Sequence, residues 1–457
     1  MTTIAELREQ VRGPVIESGE DGYEEHRRVH NGMHDRRPAL IVRAAATADA
    51  VAVVNYARDT GLDLAVRGGG HSVAGFGTCD GGVVLDLGLL NNVFVDRTKK
   101  TARTGGGATW GDFDHATHAY GLATTGGIIS TTGVGGLTLG GGIGHLARGC
   151  GLTCDNLVSA EVVTADGQIR VASEYENEDL FWALRGGSGN FGVVTSLELA
   201  LHDVGSIYGG PMFFEVADAA AVMRAYDDYI QDAPEQLGAF FAWQTAPPLP
   251  FIPEDRHGDV FCAMITCWNG RPEQGEQMIK PFRDAAEVKA ELVGAMPYPA
   301  LNSAFDALLP KGLRQYWKAD FVQELPDEAI AAHVEHGPRV PTLPSTMHLY
   351  PINGAAGRVG SEETAFGHRD ARYAMVVSAF WPDPADDDAD VAWVRDYYAA
   401  VHPYSGTTGG YVNFMSADDA DRAPENFGAT YDRLRAVKAA YDPGNLFHLN
   451  QNVAPAG

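Results

Sequence analysis

The sequence predicts an α+β protein of two domains. A chain of 457 residues is too long for a single compact core. Residues 62 to 196 read as short apolar strands divided by glycine clusters, and residues 205 to 400 as long amphipathic helices alternating with strands. Glycine is the outlier: 54 glycines in 457 residues is about 12%, against a usual level of roughly 7%. No collagen-like period or low-complexity tract accounts for the excess.

The elements follow in order. A helical lead-in precedes a β-rich run at 38 to 43 and an alanine-rich helix ending near Gly61. Strands are expected at 64 to 66, 83 to 87, 102 to 105, 158 to 164 and 192 to 199. The middle region supplies helices at 218 to 230 and 327 to 337 and strands at 260 to 266 and 374 to 380. A last helix, 431 to 441, is stopped by Asp442-Pro443-Gly444. The expected division is 1–203, 204–403 and a segment 404–457 that returns to the first domain.

Acidic residues outnumber basic ones 60 to 34, for a formal charge of −26. Such a surface repels the phosphate backbone, so nucleic acid and anionic membranes are poor partners. Only seven of the basic residues are lysine, and an acidic, lysine-poor surface fits a salt-rich, halophilic cytoplasm where self-repulsion is screened. Residues 1 to 28 are polar, without a secretion signal's apolar stretch, so a soluble, cytoplasmic protein is expected. Five cysteines, Cys79, Cys150, Cys154, Cys262 and Cys267, are few and odd in number, which predicts reduced thiols.

Gly187-Ser188-Gly189-Asn190-Phe191-Gly192 has dinucleotide-fingerprint spacing. That fingerprint needs a strand before it and a helix after it, and here a helix enters and a strand leaves. Two clusters with metal-ligand residues, His26/His30/His34 and His145/Cys150/Cys154, read as surface histidines and small buried cysteines rather than a metal site. More specific is Arg67-Gly68-Gly69-Gly70-His71-Ser72, with Gly75 close behind, where consecutive amides after a short strand form a nest suited to a pyrophosphate. A second run, Gly126 to Gly144, places nine glycines in nineteen residues. Close approach of a large flat ligand would justify that entropic cost.

With Leu180-Phe181-Trp182-Ala183-Leu184-Arg185 ahead of the 187–192 turn, and a carboxyl-terminal signature of Gly410-Tyr411-Val412-Asn413-Phe414, Tyr431, Lys438, Tyr441-Asp442-Pro443 and Asn450-Gln451-Asn452, the chain resembles the FAD-linked oxidases of the vanillyl-alcohol-oxidase/PCMH type, in their berberine-bridge-enzyme-like branch. The resemblance implies a PCMH-type FAD-binding domain and a substrate domain built on an antiparallel sheet covered by helices. It implies FAD joined through its 8α-methyl to His71. Ile129, with Ser130 beside it, stands where doubly linked members carry a cysteine, so one histidyl bond is expected.

The resemblance further puts the diphosphate on Arg67 to Ser72 and Gly75. The isoalloxazine and ribityl chain would lie along Ser130, Thr131, Thr132, Gly133, Gly136, Gly140, Gly141 and Gly142, with Asn190 and Val194 toward the adenine and Asn413 and Asn450 as polar partners. Thr132 occupies a position that governs oxygen access in this branch. The implied chemistry is hydride transfer from a C–H bearing a hydroxyl, on a sugar or other polar alcohol, to flavin N5, with O2 reduced to H2O2. C–N oxidation of an amine, and a dehydrogenase using another acceptor, stay open. Plant members place a carboxylate base on the strand after a Phe-Pro-His-Arg-like motif. Here Phe366-Gly367-His368-Arg369 is followed by 373–381 with no acid. Tyr411, with Lys318 supplying a nearby cation, is the expected base, and Trp317, His348 and Tyr411 the expected substrate contacts.

Overall fold

The structure, a computed structural model, describes residues 3–457. Strands Val15–Glu17, Leu40–Arg43, Val83–Asp86 and Leu64–Arg67 lie side by side in that order, the last three parallel. Parallel neighbours need a crossover. Helix Thr47–Thr60 supplies it between Leu40–Arg43 and Leu64–Arg67, burying Val53, Val54 and Ala57 against Leu40, Val42 and Leu85. It ends at Gly61, whose left-handed backbone (φ +70°) closes the last turn.

A second, antiparallel sheet has the order Val93–Asp96, Thr101–Gly105, Val193–Ala200, Leu157–Val163, Ile169–Ser173. Helix Glu178–Leu184 enters the glycine turn that Val193–Ala200 leaves, the helix-first order read from the sequence. Residues of the two glycine-rich stretches, 68–82 and 126–146, the second including helix Val134–Leu139, line one cavity with residues of the third sheet.

The third sheet is antiparallel, with the path Val288–Glu291, Ser206–Phe214, Val260–Trp268, Leu237–Thr245, Thr346–Pro351, Tyr373–Trp381, Arg314–Val322. Gly294–Pro297 pairs with the same strand as Val288–Glu291. Helices Ala219–Asp232, Gly275–Arg283, Asp327–His336 and Asp387–Val401 supply residues to the core on one face, where Phe241, Trp243, Met347, Leu349, Met375 and Val377 are buried. The alternate residues Phe240, Ala242, Tyr350, Ala374 and Val376 pack instead with Ile143, Phe366 and Tyr411 of the loops. Period-two alternation thus assigns one face of the sheet to its helices and the other to the glycine loops.

Helix Tyr431–Tyr441 has the bounds its sequence pattern predicts and packs Leu434 and Val437 with Leu180, Ala183 and Phe191. Inside it Lys438, fully buried, donates to Asp442 (2.6 Å), to the Asn190 carbonyl (2.7 Å) and to the Phe447 carbonyl (3.0 Å). Asp442 in turn accepts from the amides of Leu446 and Phe447. This ionic knot anchors the tail beyond it. All five cysteines are free and buried. Among the described residues no helix is long and apolar enough to cross a membrane.

Candidate active site

Strand Leu64–Arg67 delivers the chain into the turn 68–72, with Gly70 at φ +72°. The Arg67 guanidinium bonds Asp86 through Nη2 (2.9 Å), and its Nη1 is buried without a partner. The turn is backed by the second glycine run. A Cβ on Gly69 would stand 2.4 Å from the Gly133 nitrogen, and one on Gly133 2.4 Å from the Gly69 nitrogen, so only glycine allows the two loops this approach. Gly140 is likewise filled by the Asn413 amide and Gly142 by the Thr153 hydroxyl. Much of the glycine excess therefore serves chain-against-chain packing, where the sequence led us to expect ligand contact throughout. Gly136 and Gly189 differ: a Cβ at either would meet nothing within 4 Å.

Both open onto a cavity of about 340 Å³ bounded by the two glycine loops, the tail at 447–451 and the loop-facing side of the large sheet. Of the expected cofactor residues, Arg67, Gly68, Gly69, Gly70, His71, Ser72, Thr132, Gly133, Gly136, Val194, Asn413 and Asn450 line it. The others do not, and each has a visible reason. Gly75 (φ +72°) is packed against the His34 ring. Ser130 is turned to Asp306, bonded through both its amide (2.9 Å) and its hydroxyl. Thr131 instead meets His71, Oγ1 to Nε2 at 3.0 Å. Gly140, Gly141 and Gly142 are closed off by Asn413, Phe366 and Thr153. Asn190 holds the tail, donating to the Gly187 and Gln451 carbonyls and accepting from the Val453 amide.

FAD fits this cradle on three counts: glycine-lined open space, a run of backbone amides at its end, and buried polar atoms without partners. Arg67 Nη1, Trp317 Nε1, Asn450 Oδ1 and both amide atoms of Gln451 line the cavity unpaired. A buried polar atom in that state is costly unless a ligand satisfies it. Gln451, only 3% exposed, belongs to the carboxyl-terminal signature but was not picked out from sequence.

On the sheet side, His348 and Tyr350 sit two residues apart on Thr346–Pro351 and so share a face. His348 Nδ1 lies 2.6 Å from the Tyr350 hydroxyl. Register pairs His348 with Val376 of the acid-free strand Tyr373–Trp381, both lining the cavity with Gln244, Thr346 and Ser378. Burial, with His145 nearby, pushes the His348 imidazolium down to about 3, so the ring is neutral. Tyr350 was not among the residues expected from sequence, although i, i+2 spacing from His348 on a strand is the signal for it.

Two expectations about the base need correction. Trp317 lines the cavity, but Lys318 does not: adjacent strand residues face opposite ways, and its ammonium bonds Asp419 (2.7 Å) and pairs with Asp418 (3.2 Å). Tyr411 lines the cavity with its hydroxyl oxygen accepting from the Gly142 amide (2.7 Å) and from Asn413 Nδ2 (2.8 Å). Burial raises its pKa, which holds the phenol protonated. It props the Gly140–Gly142 turn, and among the described residues no Lys or Arg bonds its hydroxyl. The reading of His30 and His34 as surface groups also fails. His30 is buried against His71, and His34 Nε2 bonds the Val73 carbonyl at 2.8 Å.

An FAD binding domain model matches residues 38–173, and a berberine and berberine-like model matches residues 410–454. An FAD-linked oxidoreductase of Dictyostelium discoideum is 31% identical over 99% of this chain and 97% of its own. The (R)-6-hydroxynicotine oxidase of Paenarthrobacter nicotinovorans is 30% identical over 98% of each. The crystal structure of 6-hydroxy-D-nicotine oxidase from Arthrobacter nicotinovorans superposes with a TM-score of 0.87 at 28% identity, covering 98% of both chains. With a glycine-built cradle, orphaned polar atoms and these full-length likenesses, the chain belongs to the FAD-linked oxidoreductases of the vanillyl-alcohol-oxidase/PCMH type, in their berberine-bridge-enzyme-like branch.

Proposed function

We propose that this FAD-dependent oxidoreductase is an oxidase whose FAD is bound covalently through His71, acting on the C–H beside a hydroxyl of a sugar or other polar small alcohol. When bound, the flavin supplies the hydride acceptor and passes the electrons to dioxygen, giving hydrogen peroxide. The observation that carries this reading is the pairing of a cofactor cradle with a sheet face bearing Gln244, Thr346, His348 and Ser378, polar groups suited to holding hydroxyls. The proposed division of labour keeps 1–203 and 404–457 on the cofactor and 204–403 on the substrate.

His348 takes the hydroxyl proton. In the tautomer whose Nδ1–H donates to the Tyr350 oxygen, the Nε2 lone pair is left for the substrate. A weak base is sufficient, because an alcohol becomes strongly acidic as its hydride departs. Tyr411 and Asn413 orient the Gly140–Gly142 turn beside the cofactor, Trp317 and Asn450 bind, and Thr132 stands on the oxygen path. A second reading, C–N oxidation, is favoured by the relationship to the hydroxynicotine oxidase. No Asp or Glu is among the described residues lining the cavity, so an amine would bind there unprotonated.

Anaerobic bleaching of the visible flavin band by a panel of sugars, alcohols, hydroxy acids and amines tests both readings. Bleaching by hydroxyl compounds supports the first, and bleaching by amines alone replaces it with the second. With the best hydroxyl donor, His348→Phe should slow bleaching by about 100-fold, and an unchanged rate removes His348 as the base. The charge of −26 fits a cytoplasmic enzyme of a salt-rich cell. Full stability and turnover without added salt would refute that setting.

A further inference from the structure

His30 belongs to the histidine cluster that the cofactor and substrate roles leave unused. It is 7% exposed, and its ring stacks on that of His71, with centroids 3.9 Å apart and an interplanar angle of 28°. Both of its nitrogens are spoken for. The Leu309 carbonyl, 3.1 Å from Nε2, can only accept, so Nε2 carries the hydrogen, and Nδ1 accepts from Gln315 Nε2 at 2.7 Å. With no lone pair to spare, His30 does not relay protons. What it offers His71 is a flat, fixed surface.

The surroundings make that surface rigid. The His30 amide bonds the Gly70 carbonyl (3.0 Å), and its own carbonyl accepts from Gly312 (2.9 Å). Next to it, Asn31 Nδ2 donates to the carbonyls of Val73 (2.7 Å) and Gln315 (2.9 Å), and Asn31 Oδ1 accepts from the Gln315 amide (3.0 Å). Residues 30–32 therefore clasp the cofactor nest on one side and the start of strand Arg314–Val322 on the other. At the far edge of His71, Thr131 Oγ1 engages Nε2, which leaves Nδ1 without a partner among the described residues.

We propose that His30 is a positioning residue for covalent attachment of the flavin: its ring fixes the plane of the His71 imidazole so that Nδ1 is held toward the 8α-carbon. This rests on the proposed histidyl link. Attachment forms an N–C8α bond while one methyl C–H and the imidazole N–H break. The electron pair remains on the isoalloxazine, which is reduced by two electrons and takes up the balancing protons, and dioxygen reoxidises it to give hydrogen peroxide. Such a bond forms quickly only when the reacting atoms are already aligned, and a ring free to rotate about its side-chain torsions loses that advantage.

The test uses full-length wild type, His30→Ala, His30→Phe and His71→Ala, prepared as apoprotein from riboflavin-starved cells and mixed with FAD in air. Acid-stable flavin is followed by in-gel fluorescence and intact mass, and the dissociation constant for FAD is measured separately before attachment proceeds. We expect His30→Ala to attach flavin at least about tenfold more slowly with FAD affinity unchanged at a temperature where the variant is folded, and His30→Phe, which keeps a stacking ring but no ring hydrogen bonds, to recover most of the rate. Attachment by His30→Ala at the wild-type rate overturns the proposal. Equal slowing in both His30 variants overturns the stacking mechanism, and so does slowing that only tracks a loss of FAD affinity. Wild type without acid-stable flavin overturns the histidyl link itself, a failure distinct from the others because it precedes any substitution.

Discussion

Replacing Lys438 by methionine should loosen the cofactor cavity from a distance. The ammonium and its partner Asp442 are both 0% exposed, and the ammonium satisfies a carboxylate and two carbonyls at once. Methionine fills the space but leaves the Asp442 charge with only the two amides of Leu446 and Phe447, and strands the Asn190 carbonyl, while that of Phe447 keeps only Asn450 Nδ2 (3.1 Å). Breaking a buried pair by removing one partner costs about 3–5 kcal/mol. At roughly 2–4 °C per kcal/mol for a cooperative unit of some 200 residues, the melting temperature should fall by about 6–20 °C. The tail that this knot anchors carries Phe447, Asn450 and Gln451 to the cavity wall, so FAD affinity of the apoprotein should fall with it. Thermal unfolding by far-ultraviolet circular dichroism, with FAD titration of the apoprotein at a temperature where both forms are folded, reads the two effects. A melting temperature within about 2 °C of wild type would refute the reasoning, because it would mean that water or a side-chain shift already supplies what Lys438 supplies.

Two further outcomes are expected. Asp114, buried and bonded to Asn302 (2.7 Å), has its carboxyl pushed up to about 7 by burial. The folded state keeps the proton that the unfolded state releases near pH 4, so this group's contribution is full below about pH 4, declines as pH rises and levels off above about 7. The urea stability of wild type relative to Asp114→Asn should therefore drop by about 2–3 kcal/mol between about pH 5 and pH 8, and a pH-independent difference would contradict it. Gly136→Leu, on helix Val134–Leu139, should block FAD uptake while the apoprotein melts no lower than wild type, since leucine is the better helix former and its side chain enters open space. A leucine variant that binds FAD normally would mean that the cavity is not the cofactor site.

Much of this was legible in the residues. The nest at Arg67 to Ser72, the helix-first turn at 187–192 and the last helix with its Asp442-Pro443-Gly444 stop follow from local pattern, and local pattern is what sequence carries most directly. The error at Lys318 was avoidable in principle: Trp317 and Lys318 are neighbours on a strand, and alternation forbids both from facing one ligand. The same alternation would have joined Tyr350 to His348. Other features were out of reach. Which glycines face the ligand and which face Asn413 or Thr153 depends on contacts between distant segments, and the role of Gln451 depends on where its amide points. His30 meets His71 across 41 positions and is locked by Gln315, 285 positions away. No local periodicity encodes such a meeting.

The clasp at residues 30–32 also sets an order of assembly. Asn31 and its partner Gln315 are separated by 284 positions, so at about 5–20 residues per second the first partner waits roughly 15–60 s on the ribosome for the second. The earlier segment waits for the later one, and the flavin end of the cavity stays unclosed while four of the seven strands along the large sheet are made, with Thr346–Pro351 and Tyr373–Trp381 still to follow Arg314–Val322. A chain stalled or cut before Arg314–Val322 would carry the whole glycine nest yet lack the brace behind it. On the proposed histidyl link, covalent attachment of the flavin thus waits for a strand of the sheet proposed to face the substrate, which ties cofactor loading to synthesis of that sheet.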